Sequence, residues 1–187
     1  LCCDSHDSIG HIVLDSSPKI TPKAKEELHK LAPAELSFCE AWSTLSAGDT
    51  IKAAEHFYNA SLELPESMMI SFFLGLTLAA EGEFDVARAS FEKAFESNPS
   101  LVFYPWDELK HFGSQENYDK LLAAMDTRLQ LYPADHDVWL CKALVQLYSA
   151  KSSNDFGPVR RAIGEFLLYD SANPLVDGIE DEMKRRQ

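Results

Sequence analysis

The chain has 187 residues, 45% of them hydrophobic, which is enough for a packed core and excludes a wholly disordered polymer. Thirty Asp and Glu against 17 Lys and Arg leave a net charge of −13, which repels phosphate backbones and sets nucleic acid aside as a partner. A basic partner is electrostatically easier, although such a charge also serves solubility alone.

Residues 1–20 are polar apart from His11-Ile12-Val13-Leu14, and an extended or disordered arm is expected there. The chain opens Leu-Cys-Cys without an initiator Met, as expected of a processed or trimmed chain. Residues 21–187 are expected to form a single helical domain. Thr21-Pro22 ahead of Lys23–Leu31 predicts a capped helix of about two to three turns.

From about Ala34 a repeat begins. The spacing from Pro65 to Pro99 is 99 − 65 = 34, and from Pro99 to Pro133 it is 133 − 99 = 34. Gly48-Asp49, Ala53, Phe57 and Ala60 precede Pro65, and Gly82-Glu83, Ala87, Phe91 and Ala94 precede Pro99 at the same spacing. Each unit predicts two short amphipathic helices. The Gly takes a left-handed conformation after the first helix, and the Ala lets the two backbones approach. The Phe and Ala fill the shared core, and the Pro ends the second helix. No such unit buries its faces alone, so stacking is compulsory. The longest apolar run, Met68–Ala80, falls inside this pattern and is too short to span a bilayer.

The units are placed at about 34–67, 68–101, 102–135 and 136–175. The third is degenerate: it keeps Tyr118 and Pro133, but Leu121, Met125 and Arg128 stand at its small or aromatic positions, and Pro105 interrupts its first helix. The fourth carries Trp139 and Ala143, then Ala162 and Phe166 in a second helix ending at Pro174. Its extra residues form a longer loop over Lys151–Pro158. From Val176 to Gln187 a polar terminal helix is expected, with Lys184-Arg185-Arg186 at the end favoured by its dipole.

This pattern resembles the tetratricopeptide repeat family, most closely in the second unit, where Leu74-Gly75 matches the family's Leu-Gly pair. The resemblance implies an all-α fold, a right-handed superhelix of antiparallel helix hairpins (an α–α solenoid) whose first helices line a concave groove. Carried onto this chain, the groove presents Phe38, Trp42 and Leu45, then Met69, Phe72 and Leu76, then Phe103, Trp106 and Lys110, then Leu140, Leu144, Leu147 and Tyr148. The family's carboxylate clamp for chaperone tails needs Lys, Arg and Asn. Phe38, Trp42, Phe73, Phe103 and Asp107 stand there instead, so that use is rejected. The expected function is a protein–protein interaction module, an adaptor or assembly scaffold holding an apolar peptide or amphipathic helix. Phe38, Trp42, Met69, Phe72, Leu76, Trp106, Leu140 and Leu144 are its expected groove residues. The alternatives are a homo-oligomeric scaffold, or a groove filled by the chain's own Ile12-Val13-Leu14 or Leu28–Leu31.

No catalytic residue or cofactor is expected, and a metal-dependent enzyme is the least favoured alternative. Glu26 with His29 and Glu108 with His111 have the spacing of carboxylate-bridged di-iron helices, but the repeat would hold them far apart. Cys2, Cys3 and His6 are too few ligands at a chain end. There is no glycine-rich phosphate loop and no Gly-x-Ser-x-Gly elbow. Asp135-His136-Asp137 reads as a solvated turn, Arg160-Arg161 as a solvated helix start, and the acceptor motif Asn59-Ala60-Ser61 as helix interior. Cys39 and Cys141 read as small core residues, and a reducing, cytoplasmic setting is expected.

Overall fold

The computed structural model describes residues 37–99, 114–150 and 155–187, which form eight helices and no strand. In chain order they are α1 (37–46), α2 (Thr50–Glu63), α3 (Met68–Ala80), α4 (Phe84–Ser97), α5 (Gln115–Leu131), α6 (His136–Ser149), α7 (Phe156–Leu167) and α8 (Pro174–Arg185). Among the described residues, no helix is long and apolar enough to cross a membrane.

The helix boundaries follow from local chemistry. Asp49, Ser67, Ser114, Asp135 and Asn173 stand just before α2, α3, α5, α6 and α8, and each side chain accepts a backbone N–H of the first turn. Gly48 and Gly82, at φ of 82° and 83°, supply the left-handed residue that reverses the chain between α1 and α2 and between α3 and α4. Pro65, Pro99 and Pro133 follow the ends of α2, α4 and α5, as their spacing predicts. Pro174 differs, because α7 already ends at Leu167. Pro174 opens α8, where its missing N–H has no helical partner to lose.

Two helices are buried on nearly every side. In α3, Ile70, Ser71, Phe72, Phe73, Gly75, Leu76, Thr77 and Ala79 are all buried, which accounts for the apolar run there. The buried Thr77 hydroxyl donates back to Phe73 O (3.1 Å) and Leu74 O (2.9 Å), so it leaves no unmet polar atom. In α6, Val138 to Cys141, Ala143 to Val145, Leu147 and Tyr148 are buried. α3 packs between α2 and α4, and α6 packs on α7, α4, α5 and α8. Gly75 is where α3 and α4 approach closest: a Cβ added there would lie 2.8 Å from the Phe91 ring.

Three expectations need correction. Phe156, Gly157 and Pro158 belong to the first turn of α7 rather than to a loop, because Phe156 is fully buried and Pro is tolerated near a helix start. The terminal helix is amphipathic rather than polar: Leu175, Val176, Ile179 and Met183 face the core. Asp135-His136-Asp137 is a junction rather than a wet turn. Asp135 caps α6 and takes a 2.8 Å bond from Arg128, Asp137 takes one from Arg88, and His136 stacks on Tyr169. Asn59 to Ser61 do lie inside α2. The N-terminal arm, the Lys23–Leu31 helix and Pro105 lie outside the described residues.

Candidate functional site

The predicted groove residues separate into three groups. Phe72, Leu76, Leu140 and Leu144 are fully buried core side chains and do not form the wall of an open groove. The reason is that α6 packs directly on α4, and the Tyr148 ring meets Phe72 edge-on at 5.7 Å, so another helix of the same chain fills that face. Leu45 and Leu147 are likewise fully buried, and Tyr148 nearly so. Phe38, Trp42 and Met69 are half-buried at a rim where Phe38 and Trp42 pack on the Phe73 ring at 5.9 and 4.8 Å. Trp106, with Phe103, Lys110 and Asp107, lies outside the described residues.

The open surfaces lie instead between second helices. One groove has α2 and α4 as walls and α3 as floor. Ala54, Tyr58 and Ser61 come from α2, Ser71, Leu74 and Leu78 from α3, and Val86, Ala89, Ser90 and Lys93 from α4. A second groove has α5 and α7 as walls and α6 as floor, with Asp126, Leu129, Trp139, Lys142, Gln146, Gly157, Pro158 and Arg161 among its lining. The two are the same place in the repeat. Asp126 follows Tyr58 at a spacing of 126 − 58 = 68, twice the repeat period. The pairs Ser61/Leu129, Ser71/Trp139, Leu74/Lys142, Leu78/Gln146, Ala89/Gly157, Ser90/Pro158 and Lys93/Arg161 share that spacing.

The chemistry of the two grooves differs. In the second, Lys142 forms an ion pair with Asp126 across the gap between α6 and α5, and its ammonium lies 5.6 Å from the centre of the Trp139 ring. The Trp139 N–H donates to Pro133 O at 2.9 Å. In the first, the corresponding positions are Leu74, Leu78 and Tyr58, which carry no charge, and the charged side chains of the lining are Glu55 and Lys93. Here α2 shows a second apolar stripe. Ala53, Phe57 and Ala60 face the core, yet Ile51, Tyr58 and Leu62 stand 68%, 55% and 63% exposed, with Val86 of α4 at 48%. The sequence carried a signal for this stripe: apolar residues at i, i+7 and i+11 on a helix whose other face was already assigned to the core.

Charge is organised behind these grooves. Arg88 of α4 donates to Glu92 (2.9 Å), Asp137 (3.1 Å) and Asp170 (3.2 Å), and Asn173 donates to Glu92 and Asp170, both at 3.0 Å. Partial burial disfavours the Arg88 cation, but its bonds to Glu92 and Asp137 outweigh that and hold it charged more firmly than usual. The network ties α4 to α6 and to the turn before α8. At the far end the fully buried Glu182 carboxylate takes bonds from Arg185 and Arg186, and Arg186 also donates to the carbonyls of Leu147 (3.1 Å) and Ala150 (3.4 Å), capping α6. Burial alone would raise the Glu182 carboxyl, but the two arginines hold it below the usual range.

Among the described residues, no three His, Cys, Asp or Glu side chains come together in a way that would hold a metal. The Glu26/His29 and Glu108/His111 pairs and Cys2, Cys3 and His6 lie outside those residues. The Cys141 thiol is fully buried and donates to Phe84 O at 3.7 Å, and burial pushes its pKa well up, so it is no nucleophile. Cys39 is half-buried. No family model matches the chain, and no curated protein matches it either.

Proposed function

We propose that this chain is a tetratricopeptide-like solenoid, a right-handed superhelix of antiparallel hairpins, that works as a protein–protein interaction module. It is read as an adaptor or assembly scaffold without catalytic residues or cofactor, in a cytoplasmic setting. Its ligand is an apolar peptide or an amphipathic helix. The observation that carries this reading is the second apolar stripe of α2. A helix whose core face is already satisfied has no structural need for Ile51, Tyr58 and Leu62 in water, and clustered exposed apolar side chains on a stable core mark interaction sites. The solenoid part of the reading is supported by the left-handed Gly48 and Gly82, the close approach at Gly75, and the equivalence of the grooves across two repeats.

The test is quantitative affinity capture from native extract with the full chain, compared with Tyr58→Glu, Trp42→Ala and Leu168→Glu variants that keep their helical circular dichroism. Leu168 samples a different exposed apolar edge, beyond α7. A protein retained by the wild type and lost with one of the three variants supports the interaction reading and locates the surface. A retained set identical across all four rejects it for these surfaces. A mass that grows with concentration in sedimentation and falls in one variant replaces it with the homo-oligomeric scaffold.

A further inference from the structure

We infer that the groove between α2 and α4 is the docking site for one kind of partner: an amphipathic helix whose apolar stripe is bordered by Lys and Arg. The inference rests on the interaction-module reading and specifies its ligand. Three features of the surface select this occupant. The groove runs between two helices and presents side chains, not a free sheet edge, so the ligand that fits it is another helix with anchors at three- and four-residue spacing. Its lining sets the small residues Ala54, Ser61, Ala89 and Ser90 beside the larger Tyr58, Leu74, Leu78 and Val86, a surface that admits Leu- or Phe-sized anchors. Nothing in the fold requires it to be open and apolar, because the equivalent groove two repeats on is bridged by Lys142 and Asp126.

Charge names the rest of the partner. Residues 49–97 carry nine acidic residues, Asp49, Glu55, Glu63, Glu66, Glu81, Glu83, Asp85, Glu92 and Glu96, against Lys52, Arg88 and Lys93, a net of 3 − 9 = −6. Two of the three cations are paired with carboxylates, and the third, Lys93, lines the groove together with Glu55. Lys52 pairs with Asp49 at 3.0 Å, and Arg88 is held by three carboxylates. Glu55 lines the groove itself, and beyond the lining Glu63 and Glu66 lie exposed at one end of α2 and Glu83 and Asp85 at the start of α4. An apolar stripe with basic borders places its cations against these carboxylates, whereas an acidic helix or an anionic membrane surface is repelled.

The test uses the full chain and two fluorescein-labelled helical peptides with the same leucine stripe, one bordered by Lys and one by Glu, read by fluorescence anisotropy. The expected result is saturable binding of the Lys-bordered peptide, at least about tenfold weaker binding of the Glu-bordered one, and progressive loss as salt is raised. Tyr58→Glu is expected to weaken the Lys-bordered peptide by about tenfold or more, and Trp42→Ala to leave it unchanged. Equal binding of both peptides overturns the charge assignment. Loss with Trp42→Ala but not Tyr58→Glu overturns the site while leaving the interaction-module reading intact. A dimer in sedimentation that Tyr58→Glu dissociates, with no peptide binding, shows that the groove serves a second copy of this chain and overturns the inference.

Discussion

The two grooves occupy equivalent places in the repeat and have opposite chemistry. Their contrast shows that core positions and surface positions obey different constraints. Beneath the grooves the repeat is kept by polarity. Ala53 and Leu121, Phe57 and Met125, Phe72 and Leu140, and Leu76 and Leu144 stand two repeats apart, and all eight are buried. Above them the match dissolves. Leu74 becomes Lys142, Leu78 becomes Gln146, and Tyr58 becomes Asp126. Packing density forbids polar substitution in the core, whereas the outward positions answer only to what is to touch them. One groove is bridged by its own ion pair, and its equivalent has uncharged side chains at those two positions.

The largest expected effect tests the shared core. Phe72 meets Phe91 at 5.6 Å, Phe95 at 6.1 Å and Tyr148 at 5.7 Å, joining α3 to α4 and to α6. Phe72→Ala is expected to lower unfolding free energy by about 3–5 kcal/mol in chemical denaturation, while the half-buried Trp42→Ala costs clearly less. Equal losses would mean that the two halves do not share this contact as their centre.

Next comes the close approach at Gly75. Gly75 has Ala143 as its counterpart two repeats on, itself fully buried. Gly75→Ala drives a methyl group into the Phe91 ring, a cost of about 1–3 kcal/mol partly offset by better helix propensity, so a net loss of about 1 kcal/mol is expected in thermal unfolding. A gain in stability would show that α4 can shift away freely, and that the first groove owes nothing to the tight packing beneath it.

Exchanging the groove chemistry probes the contrast directly. Asp126→Tyr with Lys142→Leu removes an ion pair at the surface, with a stability change of about 1 kcal/mol or less. The double variant is expected to gain a second binding site for the Lys-bordered peptide, read as a change in stoichiometry by titration calorimetry. Unchanged stoichiometry would mean that the backbone of the second groove, and not its side chains, keeps ligands out.

The smallest effect near neutral pH lies in the clamp that holds α8 onto α6. Glu182 has a folded-state pKa below its ordinary value, so its stabilisation is fully present above about pH 4.5 and is lost as pH falls through the lower folded value. Hydrogen exchange is expected to show α8 and the end of α6 opening below about pH 4.5 before α2–α4 do, and Glu182→Gln to remove that pH dependence. Uniform acid unfolding across both halves would show that the clamp contributes little.

Much of the fold was legible because it depends on local steric rules. Gly48 and Gly82 mark left-handed turns, and Pro65, Pro99 and Pro133 mark helix ends, whatever the rest of the chain does. The start of α7 was not legible. Gly157 and Pro158 carry loop propensity, and only the burial of Phe156 beside them brings them into the helix. Whether the predicted groove residues stand open was not legible. An apolar first helix looks the same in sequence whether it lines an open groove or is covered by a later helix. Phe72, Leu76, Leu140 and Leu144 are covered.

Local sequence was therefore enough to make this protein helical, to set the even spacing marked by Pro65, Pro99 and Pro133, and to show which side chains are large and apolar enough to need cover. Those properties follow from backbone sterics and hydrophobic spacing, which act over a few residues. Which apolar faces are in fact covered was settled by the packing of distant helices. That packing set α6 against α4, enclosing Phe72, Leu76, Leu140 and Leu144, and left Ile51, Tyr58 and Leu62 in water. Burial depends on partners far apart in the chain, and periodicity within a single helix carries no record of them.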